Sequence, residues 1–156
     1  MTATREDPTR SDEDRFSELV DRLVREYVNA GYSDTAVAEA NAPHNMQRLA
    51  NPDAHGVFRG WCGDTMEIFL TVRGQRIEMA TFITDGCGGT IACGSMLTKL
   101  VMHRSIDEAR AITPEQLIGA LDGLPQENEH CAELAVQTLG EALSALSNAG
   151  SGESAR

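Results

Sequence analysis

A chain of 156 residues, 41% hydrophobic and 24% charged, is long enough to bury one core and to fold as one domain. Its net charge of −11 argues against nucleic acid and anionic membrane surfaces as partners, because both select clustered Lys and Arg. No apolar run approaches the ~20 residues needed to cross a bilayer, and Met1 to Arg15 is too polar for a secretory signal and too acidic for a mitochondrial transit peptide. A cytoplasmic location is therefore expected, and there four cysteines point to metal binding or catalysis rather than disulfides.

Residues 1–11, with Glu6 and Asp7 leading into the acidic run Asp12, Glu13 and Asp14, read as a disordered acidic tail whose simplest role is solubility. Phe16, Leu19, Val20, Leu23, Val24, Tyr27 and Val28 recur at i, i+3, i+4 and i+7, which predicts an amphipathic helix, with a Ser11–Asp14 cap and a stop at Gly31. Residues 41–56 read as a polar loop. Two alternating runs follow. Met66, Ile68, Leu70 and Val72 share one strand face; Ile77, Met79, Thr81 and Ile83 share one face of the next. Arg73-Gly74-Gln75 is the hairpin turn between them.

After Cys87 the period becomes helical. Cys93, Leu97, Leu100 and Val101 share a face, a short helix is expected near 105–110, and Thr113-Pro114 caps and opens another. The last helix carries Cys131, Leu134, Ala135, Thr138, Leu139, Ala142, Leu143 and Leu146 on one stripe, and residues 149–156 read as a second disordered tail. The expected fold is α+β: an N-terminal helix, then a small antiparallel three-stranded sheet with helices packed on one face.

Cys62, Cys87 and Cys131 each fall at a boundary between elements, and the latter two fall at predicted helix N-termini. Free N–H groups and the helix dipole favour the thiolate there, which is the form that binds metal or attacks sulfur. Gly86, Gly88 and Gly89 leave little bulk around Cys87, so backbone amides can approach its sulfur. Three thiolates and a fourth ligand suit iron–sulfur or zinc, with Asp64 and His130 as candidates for the fourth position. A mixed ligand set holds a cluster less permanently than four cysteines, which suits transfer better than electron carriage. The spacing alone, 24 residues between Cys62 and Cys87 and 43 between Cys87 and Cys131, is equally compatible with scattered buried cysteines.

Several segments together resemble the U-type iron–sulfur cluster scaffold family, meaning IscU and the amino-terminal domain of NifU. They are Cys62-Gly63-Asp64, the run Thr84-Asp85-Gly86-Cys87-Gly88-Gly89-Thr90-Ile91-Ala92 continuing through Gly94-Ser95-Met96-Leu97-Thr98, Ser105-Ile106-Asp107-Glu108-Ala109, Leu124-Pro125 and His130-Cys131. The resemblance implies a scaffold domain over 12–148. Cys62, Cys87 and Cys131 would be cluster ligands and sulfur acceptors. His130 would be an exchangeable ligand, and Asp64 would tune release or ligate in some states. It implies a carrier rather than an enzyme. Sulfur would come from a pyridoxal-phosphate cysteine desulfurase, and a [2Fe–2S] or [4Fe–4S] cluster would pass to apo iron–sulfur proteins. Zinc would be an alternative occupant of the same site, and a homodimer could share one [4Fe–4S] cluster.

The chain departs from the family at Leu124-Pro125-Gln126-Glu127-Asn128-Glu129, which lacks the second proline and the lysine that an Hsp70-type chaperone recognises, so that handover is not carried across. Cys93 reads as a small core residue, Trp61 as an apolar shield, and His44, His55 and His103 as surface residues. Tyr32 falls in a region that family members use for partner or sulfur-transfer contacts. His130 and Cys131, adjacent on a helix, are expected to point apart, which disfavours a Cys/His thiol enzyme. A zinc protein using the same ligands is the main alternative.

Overall fold

The computed structural model describes residues 11–23 and 31–153 and divides the chain into two units, Met1–Gly31 and Tyr32–Arg156. In the first unit, helix α1 spans Asp12–Leu23. The Ser11 hydroxyl accepts from the Asp14 amide at 3.1 Å, and the Ser11 amide donates to the Asp14 carboxylate at 3.3 Å, the reciprocal cap expected for this pair. Phe16, Leu19, Val20 and Leu23 form its apolar face and are exposed. Val24, Tyr27 and Val28 lie outside the described residues. Gly31 has φ of 83°, the left-handed conformation suited to a helix stop.

The second unit runs α2 (Asp34–Asn41), β1 (Ala54–Arg59), β2 (Thr65–Arg73), β3 (Arg76–Thr84), α3 (Gly88–Val101), α4 (Ile106–Arg110), α5 (Pro114–Ala120), a 3-10 turn (Gln126–Asn128) and α6 (Glu129–Glu153). The strands form one antiparallel sheet in the order β1-β2-β3. Helix α6 lies across β1 and β2, and α3 lies against β3, α2 and α6. Phe82, Met66, Ile68, Leu70, Leu97, Leu139 and Leu143 fill the space between sheet and helices. Capping boxes start α4 (Ser105 with Glu108) and α5 (Thr113 with Gln116). Helix α6 continues to Glu153, past the Gly-Ser stretch expected to begin a tail. Among the described residues no helix is long and apolar enough to cross a membrane.

Three features differ from the sequence expectation. Strand β1 replaces part of the expected loop. Its inward positions are Ala54, Gly56 and Phe58, too small on average to give a hydrophobic alternation. They are small because α6 lies directly on the strand: a Cβ on Gly56 would come within 2.3 Å of the Ala142 amide nitrogen. Second, a bulge shifts the β2–β3 register, with Thr71 opposite Met79 and Val72 opposite Ile77, so Glu78 is the extra residue. Beyond it the core face of β3 is Ala80 and Phe82. Met79 is exposed, and Thr81 lies opposite Phe69 on the outer face. Third, α2 is a short helix capped by Ser33, whose side chain accepts from the Ala36 amide.

Helix α2 is pinned to α3 by one buried carboxylate. Glu39 accepts from Lys99 Nζ at 2.6 Å and from the Ser95 hydroxyl, and pairs with His44 Nδ1 at 3.0 Å. Ser95 in turn accepts from the His44 amide at 2.8 Å. Burial alone would raise the Glu39 pKa, but the hydrogen bonds from Lys99, Ser95 and His44 outweigh it and hold the carboxyl below its ordinary value. A depressed carboxyl pKa adds stability above the unfolded value of about 4.3, and that stability is lost as pH falls through the lower folded value. Glu39→Gln should therefore cost about 1–3 kcal/mol at pH 7, or roughly 2–10 °C in melting temperature. In thermal melts followed by circular dichroism, the gap to the parent chain should narrow in acid, where the parent carboxyl is itself protonated.

Candidate functional site

Three connections meet at one end of the sheet. The β1–β2 turn is closed by Gly60 N–H donating to Asp64 O at 2.9 Å and Gly63 N–H donating to Gly60 O at 3.0 Å, with Gly63 at φ of 93°. It leaves Cys62 exposed at the tip and Asp64 half-buried behind it. The β3–α3 connection is fastened to the start of β2. Asp85 accepts from the Thr65 amide at 2.8 Å, and the Thr84 hydroxyl donates to Thr65 O at 2.7 Å. Cys87 is the N-cap of α3, with extended backbone, and its exposed side chain stands beside the amides of the first turn. The 3-10 turn before α6 places Cys131, buried, in the first turn of that helix.

The Thr90 hydroxyl ties these connections together. Its Oγ1 lies 3.1 Å from Asp64 Oδ2, 3.4 Å from Cys131 Sγ and 3.7 Å from Cys87 Sγ. The glycines around it are required by space. A Cβ on Gly86 would sit 2.7 Å from Thr90 Cβ and 2.8 Å from Asp64 Oδ2, and one on Gly89 would sit 2.9 Å from Tyr32 Oη and 3.5 Å from Cys131 Sγ. Tyr32 and Asn128 thus both border the Gly89 side of the site.

His130 Nε2 lies 3.7 Å from Cys131 Sγ, within reach of a sulfur hydrogen bond. The two side chains do not point apart as expected, because the imidazole, only half-buried, folds over its neighbour. Its ring lies 5.0 Å from that of Trp61, and both residues join Cys62 and Glu133 around a cavity of about 220 Å³. Trp61 is 83% exposed, so it does not act as the expected shield.

The thiols are not equivalent. Burial acts to raise the Cys87 pKa, but the Thr90 amide and hydroxyl, the Gly89 amide and the Cys131 thiol outweigh it, so Cys87 is held below the ordinary thiol value. Burial pushes Cys131 up to about 11, with Thr90 partly opposing and the nearby Cys87 charge adding. Cys93 is fully buried in the core on α3, and its pKa is raised well above the ordinary value by that burial and then by its two cysteine neighbours. Tyr32 is raised to about 12 by burial and by the charges of Cys87 and Cys131.

The structure therefore gathers Cys87, Cys131 and Asp64 on one hydroxyl and sets His130 against Cys131. Cys62 shares the open rim with His130. Three thiols with a carboxylate and an imidazole form a donor set suited to iron or zinc. Among the described residues, no three His, Cys, Asp or Glu side chains converge closely enough to hold a metal ion as they stand. The donor set fits such a metal in chemistry. Thr90 and Asn128 escaped the sequence reading. The signal for Thr90 was its position three residues after an N-cap, where a hydroxyl faces back toward the cap. Two histidines assigned to the surface have partners elsewhere: His44 on Glu39, and His55 bonded to Glu67 at 2.9 Å and stacked on Phe69 at 4.6 Å.

Residues 31–150 match the model of the NifU-like N-terminal domain. The iron–sulfur cluster assembly scaffold protein IscU 1 of Archaeoglobus fulgidus is 37% identical over 113 residues, covering 72% of this chain and 74% of that protein. IscU of Escherichia coli is 34% identical over 118 residues, covering 72% and 91%. The nitrogen fixation protein NifU of Cereibacter sphaeroides is 36% identical over 104 residues, which span 66% of this chain and 42% of its own length. In fold, the chain resembles the N-terminal NifU-like protein of Brucella abortus, with a TM-score of 0.64 at 15% identity over 78% of this chain and 97% of that one. With its described site and these relatives together, the chain belongs to the IscU/NifU N-terminal family.

Proposed function

We propose that the chain builds an iron–sulfur cluster on Cys62, Cys87 and Cys131, with Asp64 or His130 completing the ligand set, and hands it to apo-proteins. The observation that carries this reading is the gathering of two thiols and a carboxylate on Thr90, with a third thiol on a glycine-flanked turn at the same rim. The curated relatives are named scaffold proteins, which favours a carrier over an enzyme and a cluster over a zinc site.

Sulfur arrives as a persulfide on a cysteine desulfurase. A scaffold thiolate attacks the outer sulfur, a new S–S bond forms, the donor's S–S bond breaks, and the donor cysteine leaves as a thiolate. Each transferred sulfur then needs two electrons from an external reductant to become sulfide. Cys87, exposed and shifted toward the thiolate, is the chain's readiest acceptor by both criteria. The exposed rim of Cys62, Trp61 and His130 is the approach for donor and recipient.

Two measurements test this. Anaerobic reconstitution with desulfurase, cysteine and ferrous iron should yield iron and acid-labile sulfide in near-equal amounts with visible charge-transfer bands, and Cys87→Ser should lose most of both. Zinc held without sulfide and not displaced under those conditions would favour the zinc reading, and no cluster at all would refute the proposal. Separately, alkylation of the apo chain at neutral pH, mapped by mass spectrometry, should modify Cys87 at least about tenfold faster than Cys131. Cys131 is pushed up to about 11 while Cys87 is held below the ordinary thiol value, so the thiolate fraction strongly favours Cys87, and the lower nucleophilicity of the more acidic thiol returns only part of that advantage.

A further inference from the structure

We propose that Thr90 is a positioning residue that sets how tightly this site holds metal, acting through Asp64, Cys87 and Cys131 without itself coordinating. The inference rests on the scaffold reading and assigns a device that regulates the hold of that same site.

Burial gives the order of the layers. Thr90 is fully buried, Asp64 is half-buried and Cys87 is exposed, so the hydroxyl supports the candidate ligands from the core side. Its own orientation is locked. Its Cβ and Cγ2 lie where a side chain on Gly86 would stand, 2.7 and 2.8 Å from that ideal Cβ position, so the methyl fills the glycine's gap and the hydroxyl is turned toward Asp64 and the sulfurs. A threonine hydroxyl carries one proton and two lone pairs. It donates to one acceptor at a time and can accept from another, so it can donate to the carboxylate at 3.1 Å or to the Cys131 sulfur at 3.4 Å while the Cys87 thiol at 3.7 Å donates to it.

When the thiols lose their protons to metal, the same hydroxyl can donate to a coordinated sulfur. Outer-shell partners of this kind orient ligands, and their removal typically costs 10–100-fold in metal affinity. The site therefore has one small polar group whose choice of acceptor differs between the empty and the filled ligand set. Among the hydrogen bonds of the described side chains, those of Thr90 alone reach Asp64, Cys87 and Cys131 together.

The test compares the parent chain with Thr90→Val, which keeps the volume and removes the hydroxyl, and Thr90→Ser, which keeps the hydroxyl. Cobalt(II) is titrated into each apo chain anaerobically, and the thiolate-to-cobalt charge-transfer band is read against a competing chelator. Thr90→Val should bind cobalt about 10–100-fold more weakly, with Thr90→Ser recovering most of the loss. Apo melting temperatures should stay close together, which separates positioning from general damage. Equal cobalt affinity in Thr90→Val and the parent would overturn the proposal.

A second readout needs no metal. In the apo chain, Thr90→Val should change the alkylation rates of Cys87 and Cys131 severalfold and leave Cys62 unchanged. If the parent chain forms no thiolate–cobalt band, the scaffold reading is what fails, and the alkylation pattern still reports whether Thr90 acts on the two thiols. Unchanged rates at Cys87 and Cys131 would also overturn the proposal.

Discussion

The site depends on how closely two helices lie against one small sheet. Gly56 lets the α6 backbone rest on β1, and Gly94 lets α3 rest on Phe82, whose ring would be 2.4 Å from an added Cβ. Close packing of this kind fixes axial position as well as distance, since ridges of one element must fit the gaps of the other. Helices held at those two points bring their N-termini to the same end of the sheet, where the β1–β2 turn also emerges. Cys87, Cys131 and Asp64 are neighbours because of contacts on the core side of both helices, well away from the sulfurs. A methyl group at either glycine would displace a helix start, and with it a thiol.

The same placement divides labour between the cysteines. Two thiols at helix N-termini begin with the same dipole advantage, yet they end on opposite sides of the ordinary thiol value. The difference is exposure. Cys87 caps its helix and keeps its sulfur near solvent and two backbone amides, whereas Cys131 lies in the first turn with its sulfur against the core. The neighbouring pair cannot both become anionic at little cost, because each charge opposes the other. Cys87, held below the ordinary thiol value, is the more available nucleophile of the two, and Cys131, pushed up by burial, is held back as the thiol.

How much of this was legible in the sequence follows from the size of the side chains. The stripe from Cys131 to Leu146, the short helix near 105–110, the Thr113 cap and the Gly74 turn are strong local signals, and each appears where the local pattern placed it. Strand β1 was hidden because Ala54 and Gly56 had to be small for α6 to approach. The face of β3 was misassigned because a bulge at Glu78 is a property of strand pairing, invisible in one strand alone. In the site, residue types that carry chemistry by themselves announced their positions, and the order Cys-Gly-Asp, Gly-Cys-Gly and His-Cys carried the family. Thr90 and Asn128 did not, since a hydroxyl or an amide acquires its role only from what folding sets beside it. The close contact of His130 with Cys131 was likewise a matter of rotamer, which residue spacing on a helix does not decide.

The open geometry of the donor set has a thermodynamic consequence. Cys62 sits exposed on a turn bounded by Gly60 and Gly63, and among the described residues no three candidate ligands converge closely enough to hold a metal ion, so any ligand set built from these side chains must close before it holds one. Whatever free energy closure costs is subtracted from the affinity for the bound cluster, just as a binding-competent state that is rarely populated weakens apparent affinity by its population. A cage preformed around four sulfurs would avoid that loss and would also hold its contents against every recipient. For a scaffold, a site whose candidate ligands must still converge holds its contents less permanently than such a cage.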